Sequence, residues 1–196
     1  EVFGTDNPAV EGEMIEMLQR LMERIGLKES SLLINSVGCQ QCRPEYVQIL
    51  SNTTVNFLED FCPDCRRRID SNPLRVLDCK ISSCQPLIEK LPSILDHFCH
   101  ICQEHLTNLR VYLDLLGISY QLNPRLVRGL DYYIRTTFEI VSDQLGPTQN
   151  AVAGGGRYDG LSEILGGPPS QGFGFALGME RVVLLLLEQE KFPKSN

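Results

Sequence analysis

The residues best suited to chemistry are gathered in Arg128-Gly-Leu-Asp-Tyr-Tyr-Ile-Arg-Thr-Thr-Phe-Glu139, followed by Ala153-Gly-Gly-Gly-Arg-Tyr-Asp-Gly-Leu161. Arginines, carboxylates and phenols stand beside glycines, a composition suited to a polar ligand resting close to the backbone. Gly154-Gly-Gly156-Arg157 has neither the dinucleotide fingerprint nor the P-loop spacing. A hairpin that merely turns is its plain reading. Three consecutive glycines weaken a strand, however, and their place between a polar strand and Arg157 favours close ligand approach. Arg181 follows Gly178-Met-Glu180 at the start of a predicted helix, the end that prefers anions. With the free N–H groups there it could receive a phosphate.

A second cluster is made of thiols. All eight cysteines fall between Cys39 and Cys102. Cys39-x-x-Cys42 and Cys62-x-x-Cys65 are followed by Cys79-x4-Cys84 and Cys99-x-x-Cys102. Knuckles at this spacing suit tetrahedral zinc, two thiolates from each pair. Disulfides are the competing reading, disfavoured without a secretion signal, and a reduced, metal-free module is the plainest one. Two structural zinc ions are expected, each on four thiolates, with no open position for catalysis. The simplest grouping is sequential: Cys39, Cys42, Cys62 and Cys65 in one site, Cys79, Cys84, Cys99 and Cys102 in the other. Interleaved pairing stays open.

The elements that must position these groups follow from periodicity. Apolar residues between Val10 and Ile25 recur at helical spacing and Gly26 stops the run. Leu32-Leu-Ile-Asn35 reads as a short buried strand. Pro92-Ser93 opens a long helix, with Asp96 at capping-box spacing and Gly117 at its end. From Tyr132 to Val141 the period becomes two, with Tyr133, Arg135, Thr137 and Glu139 on one face and Tyr132, Ile134, Thr136 and Phe138 on the other. Further strands are expected at Asn150–Ala153 and Gly172–Leu177, the last leading into a helix over Glu180–Glu190. The expected fold class is α+β: an antiparallel sheet flanked by helices, interrupted by a small cysteine-rich helical insertion domain. The expected divisions are 1–38 and 113–196 for the core and 39–112 for the insertion.

At 196 residues, with 42% hydrophobic and 22% charged residues, the chain can bury one sizeable core with an appended module. A net charge of −7 argues against a general nucleic-acid coat. Arg66, Arg67, Arg68 and Arg75 form a candidate basic patch, or equally a solvated helix face. His97, His100 and His105 are expected at the surface or behind other groups, not as catalysts. No apolar run nears the ~18 residues a membrane helix needs, so no membrane association is expected and the cytoplasm is the default compartment. The chain begins at Glu1 without a methionine and looks like a cut through a larger protein.

Together these segments resemble the histidyl-tRNA synthetase family of class II aminoacyl-tRNA synthetases. Arg128-Gly-Leu-Asp-Tyr-Tyr133 with Thr137-Phe-Glu139 looks like the first histidine-specific motif, and Gly155-Gly-Arg-Tyr-Asp-Gly-Leu161 like the second. Gly174-Phe-Ala-Leu-Gly-Met-Glu-Arg181 is similar to class II motif 3, and Asn72-Pro-Leu-Arg-Val-Leu-Asp78 also follows the family's pattern. The resemblance implies a class II catalytic core, incomplete here. It implies ATP-dependent activation of L-histidine to histidyl-adenylate and transfer to tRNA(His), with Mg²⁺ accompanying ATP.

The implied roles are specific. Arg128 would act catalytically, against the α-phosphate and the histidine carboxylate. Tyr132 and Tyr133 would line the histidine pocket, and Glu1 would contact the other imidazole nitrogen. Gly155 and Gly156 would floor the pocket, with Arg157 and Tyr158 at its edge, and Arg181 would hold the γ-phosphate. The insertion would approach the tRNA acceptor stem. Motif 1, which makes the family's homodimer interface, and the arginine strand of motif 2 are missing, as is the anticodon-binding domain. Inactivity of these residues alone is therefore expected. Two other readings compete: a histidine-binding regulatory paralogue of ATP phosphoribosyltransferase, which should have lost the arginines and tyrosines, and a zinc-dependent nucleic-acid module, which explains nothing after residue 117.

Overall fold

Asn7 starts the first helix, α1 (Pro8–Arg24), by accepting a hydrogen bond from the Ala9 N–H at 3.0 Å, and Pro8 occupies the first turn, where no N–H is missed. Gly26, at φ +91°, ends the helix as its sequence position predicts. Met14, Ile15, Leu18 and Met22 are buried, whereas Met17 and Leu21, counted with them by periodicity, are exposed. The apolar stripe is thus wider than the face that packs. The computed structural model describes residues 1–27, 29–129, 132–146 and 150–189. Leu130, Asp131, Pro147 and Glu190, which belong to segments discussed above, lie outside the described residues.

The chain order is β1 (Val2–Phe3), α1, β2 (Ser31–Ser36), then the insertion helices α2 (Arg43–Thr54), α3 (Pro63–Ser71) and α4 (Gln85–Glu89). There follow α5 (His100–Leu115), β3 (Gln121–Leu122), β4 (Ile134–Val141), β5 (Ala151–Arg157), α6 (Leu161–Ile164), β6 (Gly172–Leu177) and α7 (Met179–Glu188). Six strands form one sheet in the order β1-β6-β5-β4-β2-β3. Every pairing is antiparallel except β2 with β3, so the expected antiparallel sheet carries one parallel pair at its edge. The parallel pair is possible because the whole insertion and α5 form a long crossover between the two strands.

The expected long helix from Pro92 is two pieces. Ser93 caps a 3₁₀ turn, Ile94–His97, then Phe98 and Cys99 are extended and Cys99 becomes the cap of α5. That break carries Cys99 toward the other thiols. The glycine run, expected at the end of a strand, is the middle of β5.

Two hydrophobic cores result. One lies between the sheet and α1, α5 and α7, with Leu18, Ile34, Leu109, Phe138 and Phe173 among its members. Phe138 and Phe173 stack there with centroids 5.8 Å apart, and burying such a side chain contributes about 1.5–3 kcal/mol. Gly12 lets α5 approach α1, since a Cβ there would lie 3.3 Å from Tyr112 Cβ. The second core fills the insertion with Tyr46, Leu50, Phe61 and Ile69, and it also takes in Val127 and Tyr133 from the polar motif. Helix α5 gives Leu109 and Leu113 to the first core, while its cap Cys99 and its first-turn Cys102 join Cys39 and Cys42.

Candidate active site and thiol centres

Strand alternation sends Phe138 and Phe173 into the core and leaves Glu139, Gly154, Gly156 and Gly174 facing away from it. On that face the glycines have a specific use. A Cβ on Gly154 would lie 2.7 Å from the Arg128 guanidinium, and one on Gly156 would run into the Thr136 carbonyl and lie 2.9 Å from the Tyr133 ring. Likewise a Cβ on Gly172 would run into the Tyr158 ring, and one on Gly174 into the Glu1 carboxylate. Each of these four glycines therefore lies beneath a side chain singled out by the sequence. Gly155 differs: its missing Cβ would strike the Gly174 carbonyl and Phe175, so of the expected floor pair only Gly156 underlies the tyrosines.

Above this stripe is a cavity of about 530 Å³, lined by Glu1, Tyr132, Tyr133 and Tyr158 together with Phe3 and Phe175. Tyr132 stacks at a tilt on Tyr133, centroids 4.7 Å apart, and meets Tyr158 edge-on at 6.1 Å. The Tyr158 hydroxyl donates to Glu1 Oε2. Burial pushes the Tyr133 phenol up to about 12, with Tyr132 adding to the rise and Arg128 only partly opposing it. Burial and then the Glu1 carboxylate raise Tyr158. Both phenols are neutral at pH 7, able to donate and accept. Leu161, the last residue of the second motif, also lines the cavity, as do Ser162, Leu165 and Ser170, which the sequence did not single out. The alternation Gly172-Phe-Gly174, matching Gly154-Gly-Gly156, was the one signal there that could have been read.

The two phosphate candidates stand outside the cavity lining. Arg128 is beside it and pairs with Glu139 from the same face of β4. Arg181, at the start of α7, donates from Nη1 to the Ala151 carbonyl. Arg157 corrects its sequence placement: it is fully buried on the opposite face. Its Nε donates to Glu11 Oε1 at 2.5 Å and its Nη1 to Thr5 O and Asp159 Oδ1, both at 3.0 Å. Of the three histidines His105 is the one behind other groups, buried with Nε2 2.9 Å from the same Glu11 oxygen. His97 packs against Tyr46, and His100 is exposed near Glu104. The basic run is largely engaged within the insertion: Arg66 with Phe61 O and Glu59, Arg67 with Asp64, Arg68 with Arg75 O.

The thiols form two groups of four, Cys39, Cys42, Cys99 and Cys102 in one and Cys62, Cys65, Cys79 and Cys84 in the other. The pairing is nested, which overturns the sequential grouping: the outer knuckles close over the insertion and the inner ones lie within it. Sγ atoms are 3.8 Å apart for Cys39–Cys42, 3.7 Å for Cys39–Cys99 and Cys42–Cys102, and 4.0 Å for Cys62–Cys79. Tetrahedral bonds of ~2.3 Å place sulfurs about 3.8 Å apart, while a disulfide needs ~2.05 Å. The donor sets therefore fit a tetrahedral soft cation. Burial acts upward on Cys39, yet the N–H groups of Cys42 and Gln41 and neighbouring thiols bring it down to about 7. Burial, and then the neighbouring thiols, push Cys65 and Cys102 up.

A family model described as "Histidyl-tRNA synthetase" matches residues 79–182. A histidine–tRNA ligase of Syntrophotalea carbinolica is 48% identical over 193 residues, covering 98% of this chain and 46% of that protein. Its counterpart from Maridesulfovibrio salexigens is 50% identical over 188 residues, covering 95% and 45%. Among solved structures, apo S. aureus histidyl-tRNA synthetase superposes with a TM-score of 0.76 at 36% identity, covering 98% of this chain and 47% of that one. The chain spans less than half the length of the curated relatives it matches.

Proposed function

The chain belongs to the histidyl-tRNA synthetase family, and from that membership we propose that the protein it is part of is a histidine–tRNA ligase. The reaction would activate L-histidine with ATP and Mg²⁺ to histidyl-adenylate, then acylate tRNA(His). The observation that carries the reading is the cavity in which a carboxylate, Glu1, and neutral phenols meet beside Arg128. An imidazole presents one N–H donor and one nitrogen acceptor, and a carboxylate facing a neutral phenol can satisfy both. A site built to hydrogen-bond a polar side chain rejects apolar amino acids strongly, because its own buried groups would be left unpaired.

In this reading Tyr133 and Glu1 hold the imidazole, with Tyr132 and Tyr158 shaping the pocket and Gly156 keeping the strand clear. Arg128 stabilises charge growing on the α-phosphate as the histidine carboxylate attacks, exchanging its Glu139 partner for substrate oxygens. Arg181 takes the γ-phosphate. Two structural zinc ions, one on each thiol set, complete the proposal; zinc would crosslink the insertion without taking part in the chemistry. A homodimeric, cytoplasmic protein and the divisions at 38/39 and 112/113 are proposed with it. No described helix is long and apolar enough to cross a membrane.

The test is ATP–pyrophosphate exchange. The full-length protein should exchange only when L-histidine is present, and the 196-residue chain alone should not. Histidine binding without exchange in the full-length protein would favour the regulatory paralogue instead, against which the retention of Arg128, Tyr132, Tyr133 and Arg181 already weighs. Robust exchange by the isolated chain would sink the claim that it is catalytically incomplete.

A further inference from the structure

Tyr133 reaches the cavity from a segment whose backbone is held by the insertion. Arg43, in the first turn of α2, lies directly after the Cys39–Cys42 knuckle. Its Nε donates to the Val37 carbonyl at 2.8 Å, and its Nη2 to Gly38 O at 3.2 Å and to Tyr133 O. The Arg43 N–H in turn donates to Cys39 O at 2.9 Å. Val37 and Gly38 are bonded in both directions to Arg135, the one described non-glycine residue at positive φ (+50°), where β4 is irregular against β5.

Two more arginines act across the same boundary. Arg125 donates to Pro92 O at 2.7 Å, Glu89 O at 3.3 Å and Leu91 O, and Arg75 donates to Gly129 O at 3.4 Å. Val127 and the Tyr133 side chain pack into the insertion's core. On the sheet side, Gly156 beneath the Tyr133 ring contributes no side chain.

We infer that Arg43 is a positioning residue for the imidazole-binding tyrosine: it fixes the Tyr133 carbonyl to the base of the insertion and so sets where the phenol stands. The insertion then serves the amino-acid site directly, apart from any role toward tRNA. Charge-assisted bonds of this kind are the stronger class, and a displacement of about 1 Å at a reacting group can cost roughly a hundredfold in rate. Arg43 is not among the residues that line the cavity, so its effect is transmitted through the Tyr133 backbone. ATP, contacting Arg128 and Arg181, should be affected much less.

The inference rests on the histidine-ligase reading, and the experiment separates the two. Arg43→Met and Arg43→Lys are made in the full-length protein, with histidine and ATP KM values taken from pyrophosphate exchange and histidine affinity from calorimetry without ATP. Arg43→Met should raise the histidine KM and Kd about tenfold or more, as loss of one or two charged hydrogen bonds implies. The ATP KM should stay within about twofold, and bound zinc should be unchanged. Arg43→Lys, which can reach one carbonyl at a time, should fall between, and it decides the matter alone if Arg43→Met does not fold. Unchanged histidine affinity in the folded variants, or equal losses for histidine and ATP, overturns the inference. A wild-type protein without histidine-dependent exchange overturns the functional reading and this inference with it.

Discussion

In its proposed role the Tyr133 hydroxyl must keep its proton to recognise an imidazole, and its surroundings protect that proton. Burial is the main cause of its rise from the ordinary 10 to about 12, with Tyr132 assisting. A folded-state value above the unfolded one favours the folded protein while the phenol is protonated. That contribution is intact below pH 10 and is lost as the pH rises through 12. Across the range where an enzyme can be assayed the group does not titrate. Replacing Tyr133 by Phe in the full-length protein should therefore raise the histidine KM about ten- to a hundredfold, the consequence of leaving a ring nitrogen unpaired, with a far smaller change for ATP. The ratio to wild type should be the same at pH 7 and pH 9. Equal losses for both substrates would make the tyrosine structural, and a ratio that collapses by pH 9 would mean that the phenol ionises in the assay range.

The strands show what periodicity can and cannot say. Tyr133 and Glu139 both stand on the cavity side, although Tyr133 precedes β4 and the ladder shifts at Arg135. The glycines of β5 and β6 fall under the candidate side chains because alternation runs regularly from Gly154 to Arg157 and from Gly172 to Leu177. Arg157 was misplaced for a related reason: it neighbours Tyr158 in sequence, but a one-residue step turns it to the helix side. The clue lay in α1, where Glu11 interrupts the face that buries Met14 and Ile15 and needs a buried cation. The thiol pairing was not legible, because spacing alone cannot tell a chain that closes each knuckle on the next from one that folds the outer knuckles over the inner. Nor was the break before Cys99, since the apolar spacing continues across it. Arg157 gives these elements a common test. It joins β5 to α1 through Glu11, to the turn after β5 through Asp159, and to the Phe173 ring, 6.0 Å away. Arg157→Leu would leave Glu11 buried with His105 as its one remaining partner among the described residues, and should cost about 3–5 kcal/mol in urea unfolding. A histidine KM effect without loss of stability would return Arg157 to the edge of the pocket.

At the scale of the whole molecule the nested thiols decide how the insertion is attached. Cys39 and Cys42 stand where the chain leaves β2, and Cys99 and Cys102 where it returns through α5, so a cation on this outer set ties both ends of the insertion together. The inner set lies wholly between them and can staple only the insertion itself. Closing a loop through a metal stabilises by restricting the unfolded chain, and structural zinc binding in small domains contributes on the order of 10 kcal/mol. The two arrangements make opposite predictions for paired substitutions. Cys39→Ser with Cys99→Ser removes two ligands from one nested set, so the purified protein should lose one zinc and keep the other. Cys39→Ser with Cys62→Ser damages both nested sets and should lose both ions. Sequential grouping inverts these counts, giving two lost in the first pair and one in the second. Cobalt substitution supplies a second readout, because each intact four-thiolate site should give its own charge-transfer and d–d absorption. Wild-type protein with zinc well below one equivalent would remove the metal from the account and leave the insertion to its apolar core. If the nested counts hold, losing the outer set should also loosen the base from which Arg43 grips Tyr133. Histidine affinity should then fall in the outer-set variant and persist when Cys62 and Cys79 are replaced instead.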